Sequence, residues 1–175
     1  YIKKTIKDIC KSPVIDNKTA IVISAGPSLH LNDSLKTIVD SKYEGTIIAI
    51  DGSYVKCLKA GIIPDYVLTL DPHPTRMVRW FGDPDYEKNT LGDGYFSRQD
   101  LDIDFRNNSF EKNKENIELV NKYAKYTKLI ISSTSPENMV KRSIEAGFNL
   151  YWWMPIVDDP HKKDSLTRQI FNITK

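Results

Sequence analysis

Ala20-Ile21-Val22-Ile23-Ser24-Ala25-Gly26-Pro27-Ser28-Leu29 decides the fold, because an unbroken apolar run ends there on a glycine turn. The pattern recurs twice. Thr46-Ile47-Ile48-Ala49-Ile50 leads into Asp51-Gly52-Ser53, and Pro64-Asp65-Tyr66-Val67-Leu68-Thr69-Leu70 leads into Asp71-Pro72-His73. Continuous β-branched runs, unlike alternating ones, read as strands buried on both faces, which is the habit of parallel sheets. Ligands of such sheets sit beyond the carboxyl ends of the strands, where all three turns fall. Glycine, hydroxyl and carboxylate groups are therefore expected around one crevice.

Helix-period segments separate the runs. Residues 1–12 read as a lysine-rich helix with Ile2, Ile6 and Ile9 on one face, ended by Pro13 and Asn17. Asn32 or Asp33 is expected to cap a helix carrying Leu35, Ile38 and Val39, and Gly61 closes the helix that follows Asp51. Residues 83–109 hold no sustained period and read as an irregular insertion, and loops of that length are usually functional or disordered. A helix over about 110–126 precedes a fourth strand at 128–132. Ser135 and Pro136 open the next helix, Gly147 closes it, and 149–153 form a fifth strand. Asp164 or Ser165 would cap a last helix. The fold class is α/β, a mainly parallel sheet with helices on both faces, in one domain spanning 1–175.

With 175 residues the chain has room for one proper core. Its 25 basic and 23 acidic side chains leave a formal net charge of +2, which gives no footprint for nucleic acid or a membrane surface. No apolar run is long enough to span a bilayer. Cys10 and Cys57 are too few for a disulfide or metal framework, so a reducing cytoplasm is the expected compartment. The chain starts at Tyr1 rather than Met, and Tyr1-Ile2-Lys3-Lys4 lacks the apolar core of a signal peptide. It is expected to be cut from a longer chain.

Gly26, Pro27, Ser28 and Leu29 form either a plain strand-to-helix turn or a loop on which a ligand phosphate rests. The loop is neither a Walker A sequence nor a G-x-G-x-x-G fingerprint. Asp51 and Asp71, just past strand ends, are candidates to hold Mg²⁺ with phosphate oxygens completing its shell, although Asp also simply favours turns. If they share a crevice, their repulsion should raise the proton affinity of one of them. Asp65 precedes its strand and reads as a turn-maker. His73, between two prolines, is either an exposed loop residue or a phosphate contact or proton carrier. Gly52, Ser53 and Ser133 would add backbone and hydroxyl groups. Tyr151-Trp152-Trp153 reads as core or as a stacking wall, and Asp158-Asp159-Pro160-His161 as a surface turn or a second acidic contribution.

The order and spacing of Gly26-Pro27-Ser28-Leu29, Asp51-Gly52-Ser53 and Gly61 through Pro72 resemble the Rossmann-like domain of archaeal 6-hydroxymethyl-7,8-dihydropterin pyrophosphokinases. That domain is shared with bacterial motility accessory factors, glycosyltransferase-like proteins implicated in flagellin modification with nonulosonic acids. The resemblance is dense over about 20–73 and thinner through Trp153. The Gly-Pro-Ser-Leu piece alone also resembles the nucleotide-sugar loop of bacterial sialyltransferases. The resemblance implies a nucleotide-binding transferase, first as a Mg²⁺-dependent pyrophosphokinase moving the diphosphate of ATP to a pterin-type alcohol. Asp71 and His73 would then be catalytic, Asp51 and Asp71 metal ligands, and the glycine and serine turns nucleotide contacts. The alternatives it leaves are a domain using a nucleotide-sugar and a glycan acceptor, and a non-catalytic nucleotide-binding module. Family members continue into a glycine-rich segment, a strand and a helix, so a truncated C-terminus is expected, with the missing part of the chain as a partner of the site.

Overall fold

The computed structural model describes residues 3–11, 19–71, 73–90, 103–154 and 158–173. Five strands, β1 Ala20–Ile23, β2 Thr46–Ile50, β3 Tyr66–Thr69, β4 Lys128–Ser132 and β5 Asn149–Trp153, pair in parallel in the order β1-β2-β3-β4-β5. Each apolar run read as a strand is one, to within a residue or two. The helices are α1 Ile6–Lys11, α2 Ser28–Leu31, α3 Ser34–Asp40, α4 Asp51–Lys59, α5 Arg76–Trp80, α6 Tyr86–Thr90, α7 Ile103–Tyr123, α8 Glu137–Glu145 and α9 Leu166–Ile173. The α/β Rossmann-like class stands.

Strand order controls the layering. When each strand is followed by its spatial neighbour, right-handed crossovers all return over the same face. Ile23, Ala49, Val67 and Leu129 are paired in register and buried, with Ile131 one pleat further on. They share one core with Leu29 of α2, Leu35 of α3, Tyr54 and Cys57 of α4, Val78 of α5, Val120 of α7 and Met139 of α8. Every connection between strands thus contributes to that face. The alternate row, Val22, Ile48, Tyr66 and Lys128, points the other way. Val22 is 63% exposed there, and Ile48, Ile50, Leu68 and Ile130 are only half-buried. The helices expected on the second face are therefore not supplied by these connections.

Local chemistry explains where elements start. The first helix begins at Ile6 rather than at residue 1, because the Asp8 carboxylate accepts from the Thr5 N–H at 2.8 Å and the Thr5 hydroxyl at 3.2 Å, a capping arrangement. Lys4 instead runs beside β5, its carbonyl accepting from Trp152 N–H at 2.9 Å. Pro13 and Asn17 lie outside the described residues. Asp33 adopts a left-handed conformation before α3 without a side-chain cap, and α2 occupies residues expected to be loop. Gly61 and Gly147 close α4 and α8 at φ +81 and +90, as read from the sequence. Ser135 is not a cap. Pro136 takes the capping position, and the buried Ser135 hydroxyl has no hydrogen-bond partner among the described residues.

The stretch 83–109 is more ordered than its composition suggests. It contains α6 and the start of α7, while 91–102 lie outside the described residues. The Phe110 ring meets Tyr86 edge-on at 5.1 Å, so tertiary packing holds a helix that Asn107-Asn108-Ser109 would not favour. At its base Asp83 is buried, its N–H donating to the Asn113 side chain and its carbonyl accepting from it, both at 2.8 Å. Gly82 sits at φ +76, and a Cβ there would come within 2.6 Å of the Ile117 backbone nitrogen. Arg142 of α8, 4% exposed, donates to the Gly82 carbonyl at 2.7 Å, the Phe81 carbonyl at 3.0 Å and Asn121 at 2.8 Å. Burial lowers its pKa, against the opposing charges of Glu145 and Asp83.

Arg142→Ala strands two carbonyls and should cost about 3 kcal/mol in urea unfolding. Arg142→Lys should recover less than half of that, since an ammonium lacks the planar fork. Full recovery by lysine would show that charge alone matters.

Candidate functional site

Two residues side by side at the start of α4 serve different ends. The Ser53 hydroxyl is fully buried and lies 2.6 Å from the Ile23 carbonyl and 2.9 Å from the Ile50 carbonyl, tying the helix to the ends of β1 and β2. It is closed to a ligand, so the expected nucleotide contact at Ser53 is corrected to a structural bond. Asp51 is buried too, but it is a carboxylate. Its Oδ1 accepts from the Gly52 N–H at 2.6 Å, and the Thr69 hydroxyl at the end of β3 bonds to it as well. Burial raises the Asp51 pKa above its ordinary 3.8. The bonds from Gly52 and Thr69 pull the other way, and the charge of Asp71 adds a smaller upward push. Repulsion between the two aspartates is thus present, but desolvation is the larger cause.

Gly52 is there for contact rather than for conformation. A Cβ on it would lie 3.0 Å from the Ala25 side chain and 3.8 Å from the Trp80 indole. The loop after β1 and the ring of α5 both close onto the first turn of α4.

The loop after β3 is self-bracing. Asp71 Oδ1 accepts from the His73 N–H at 2.8 Å. His73 Nδ1 accepts from the Thr75 N–H at 3.3 Å, with the Thr75 hydroxyl at 3.2 Å. In the neutral tautomer compatible with that bond, the ring proton sits on Nε2. The Asn138 side chain of α8 donates to the Pro74 carbonyl at 2.7 Å, which brings the helix after β4 against this loop. Ser133 is exposed at the same sheet edge, its N–H bonded to the Trp153 carbonyl at 2.9 Å.

The predicted residues share one edge but not one hollow. Gly26, Ser28 and Leu29 line a hollow of about 300 Å³ running along β1. Asp51 and Gly52 line another, about 340 Å³, with Ala25 and Trp80 on its wall. Pro27 is exposed in the turn before α2. The second hollow also takes Lys56 and Lys59 from α4 and Lys112 from α7, none of which the sequence reading singled out. A one-sided stripe on α4, with Gly52, Val55, Lys56 and Lys59 three and four apart, was the signal available for the first two lysines.

Other candidates fall elsewhere. Asp65 accepts from the Ile47 N–H at 2.8 Å at the opposite edge of the sheet and is structural. Trp152 packs on the core, while Tyr151 lies on the second face with Lys4 and Lys128 over its ring. Asp158 starts α9, accepting from the Leu166 N–H at 2.7 Å, the Thr167 N–H at 3.0 Å and the Ser165 hydroxyl at 2.8 Å. The Thr167 and Ser165 side chains hold its carboxyl well below the usual range. Ser165 caps as expected, its oxygen accepting from the Arg168 N–H at 3.1 Å. Burial pushes the Cys57 thiol up to about 11, which leaves it an inert core residue.

The family model described as 6-hydroxymethylpterin diphosphokinase MptE-like matches residues 1–88. The chain belongs to that family. The matched span carries the Gly-Pro-Ser-Leu loop, Asp51 and the Asp71–His73 loop, and a pterin-diphosphokinase-like function is what the family description suggests. No curated protein and no solved structure matches the chain. No helix among the described residues is long and apolar enough to cross a membrane.

The buried carboxylate has a measurable cost. The folded chain binds the Asp51 proton more tightly than the unfolded chain does, so its contribution to stability is lost as pH rises from 3.8 through the raised folded value. Asp51→Asn keeps an acceptor for Gly52 and removes the charge. Its melting temperature at pH 7 without divalent metal should exceed the parent's, with the advantage fading as the pH is lowered through that window. A less stable variant at pH 7 would contradict the assignment.

Proposed function

We propose that this domain is a Mg²⁺-dependent diphosphokinase that uses ATP as donor and a pterin-type alcohol as acceptor. The observation that supports the reading is that Asp51 is hydrogen-bonded by Thr69 at the end of β3, two residues before Asp71, at the carboxyl edge of the sheet in a chain of this family. Among the described residues no three acidic, histidine or cysteine side chains gather as a metal cage. Two carboxylates with substrate phosphates fit Mg²⁺, which keeps much of its shell for water and phosphate oxygens. Bound there, the metal supplies neutralisation of phosphate charge.

The remaining work belongs to the chain. The alcohol oxygen forms a bond to the β-phosphorus of ATP as the bond from that phosphorus to the bridging oxygen of the α-phosphate breaks. AMP leaves and the alcohol proton goes to water. Asp51 and Asp71 would hold the cation, since a carboxylate alone repels a phosphate, and ionisation of Asp51 is eased once a cation faces it. His73, with its proton on Nε2, serves as a donor to a phosphate oxygen and not as a base. Ser28 and the Gly26 turn extend the grip on the nucleotide. Catalysis of this kind is positioning and charge stabilisation.

The test is release of AMP from ATP by the full-length protein, dependent on 6-hydroxymethyl-7,8-dihydropterin and on Mg²⁺. Asp71→Asn should lower kcat by about 100-fold or more. Saturating metal and nucleotide should also raise the melting temperature, by about 2.7 kcal/mol of stabilisation at a hundredfold excess over Kd. Release of CMP from a CMP-linked sugar, with no AMP from ATP, would overturn the reading in favour of glycosyl transfer.

A further inference from the structure

Helix α8 grips α5 at both of its ends. Arg142 takes the Phe81 and Gly82 carbonyls that follow α5. Asn138, four residues earlier and so on the same side of α8, takes the Pro74 carbonyl that precedes α5 at 2.7 Å. The two grips differ in their surroundings. Arg142 is buried, whereas the Asn138 bond is exposed, and water can replace an amide on an exposed carbonyl at little cost. Stability alone asks little of Asn138. Its direction is fixed all the same, because Oδ1 accepts from the Met139 N–H at 2.9 Å in the first turn of α8 and Nδ2 is left to reach Pro74. Pro74 stands between His73 and Thr75, in the loop whose local bonds join His73 to Asp71 and Thr75 to His73. Those bonds set the shape of the loop. The Asn138 bond sets where that shape stands against α8.

We propose that Asn138 is a positioning residue of this site, holding the loop of Asp71 and His73 in its working place through the Pro74 carbonyl. The reaction it serves rests on the diphosphokinase reading, while the tether itself rests on geometry alone. Asn138 lies outside residues 1–88, the span that the family model matches, so the later part of the chain reaches into the site that the earlier part builds. A bond that contributes little to folding but orients two reacting groups acts on the rate, since a misplacement of about 1 Å can cost about 100-fold.

The experiment compares Asn138→Asp and Asn138→Ala with the parent in the full-length protein. Aspartate keeps an acceptor for the Met139 N–H and suits the positive end of α8, but it loses the donor and sets negative charge against the Pro74 carbonyl. His30, His73 and His161 are the three histidines of the chain, so nitrogen-15 spectra of their rings carry two internal controls. The His73 signals should shift in both variants while those of His30 and His161 stay, with melting temperatures within about 2 °C of the parent. With 6-hydroxymethyl-7,8-dihydropterin as acceptor, kcat for AMP release should fall about tenfold in Asn138→Asp. KM for ATP should hold, because the Gly26 and Ser28 grip belongs to another loop. Unmoved His73 signals, or a kcat equal to the parent's, would overturn the inference and leave the diphosphokinase reading intact. A loss of stability as large as that of Arg142→Ala would overturn it too, by making the bond a purely structural one. A parent that releases no AMP, with His73 shifting as expected, would overturn the diphosphokinase reading and leave Asn138 as the tether of the loop.

Discussion

Sequential strand order is the constraint on which the rest of the molecule depends. Five parallel strands in the order of the chain allow each right-handed crossover only one side on which to return. One face of the sheet therefore collects the connecting helices, and Ala49, Val67, Leu129 and Ile131 are fully buried beneath them. The same constraint sends every strand in one direction, so every strand-to-helix turn emerges at one edge. Gly26, Asp51 and Asp71 fall together at that edge because each follows the end of a strand.

That edge is held by polar bonds that apolar packing alone would not provide. The Ser53 hydroxyl ties the start of α4 to the end of β1, and Arg142 gathers the carbonyls of Phe81 and Gly82 under α8. Both are buried and both are satisfied, which is the condition under which buried polar groups are tolerated. Asp51 differs. It has two partners, Gly52 and Thr69, but it also carries a charge that burial disfavours. A chain seeking stability alone would place a neutral acceptor there. Under the proposed function, a cation facing Asp51 offsets that cost.

The strands were legible because a buried parallel strand is a local event, an unbroken β-branched run ending in a turn. Gly61 and Gly147 were legible for the same reason, since a left-handed helix end asks for glycine within the element itself. Long-range contacts were not. Ser53 looked like a ligand contact because nothing local reveals that its hydroxyl reaches Ile23, thirty residues earlier. Thr5 with Asp8 was readable as a capping pair and was passed over for the apolar period around it. The convergence of Lys112 with Lys56 and Lys59 depends on how α7 lies against α4. No window of sequence contains that.

The edge is divided into two hollows that differ in what they offer. Gly26 and Ser28 face the space along β1, whereas Asp51 and the lysines face the space beneath Trp80. On the second side Ala25 and Gly52 are packed so closely that a Cβ on Gly52 would meet Ala25 at 3.0 Å. The two hollows thus offer different surroundings from one sheet edge: backbone, hydroxyl and apolar groups along β1, and a carboxylate with lysines beside Trp80.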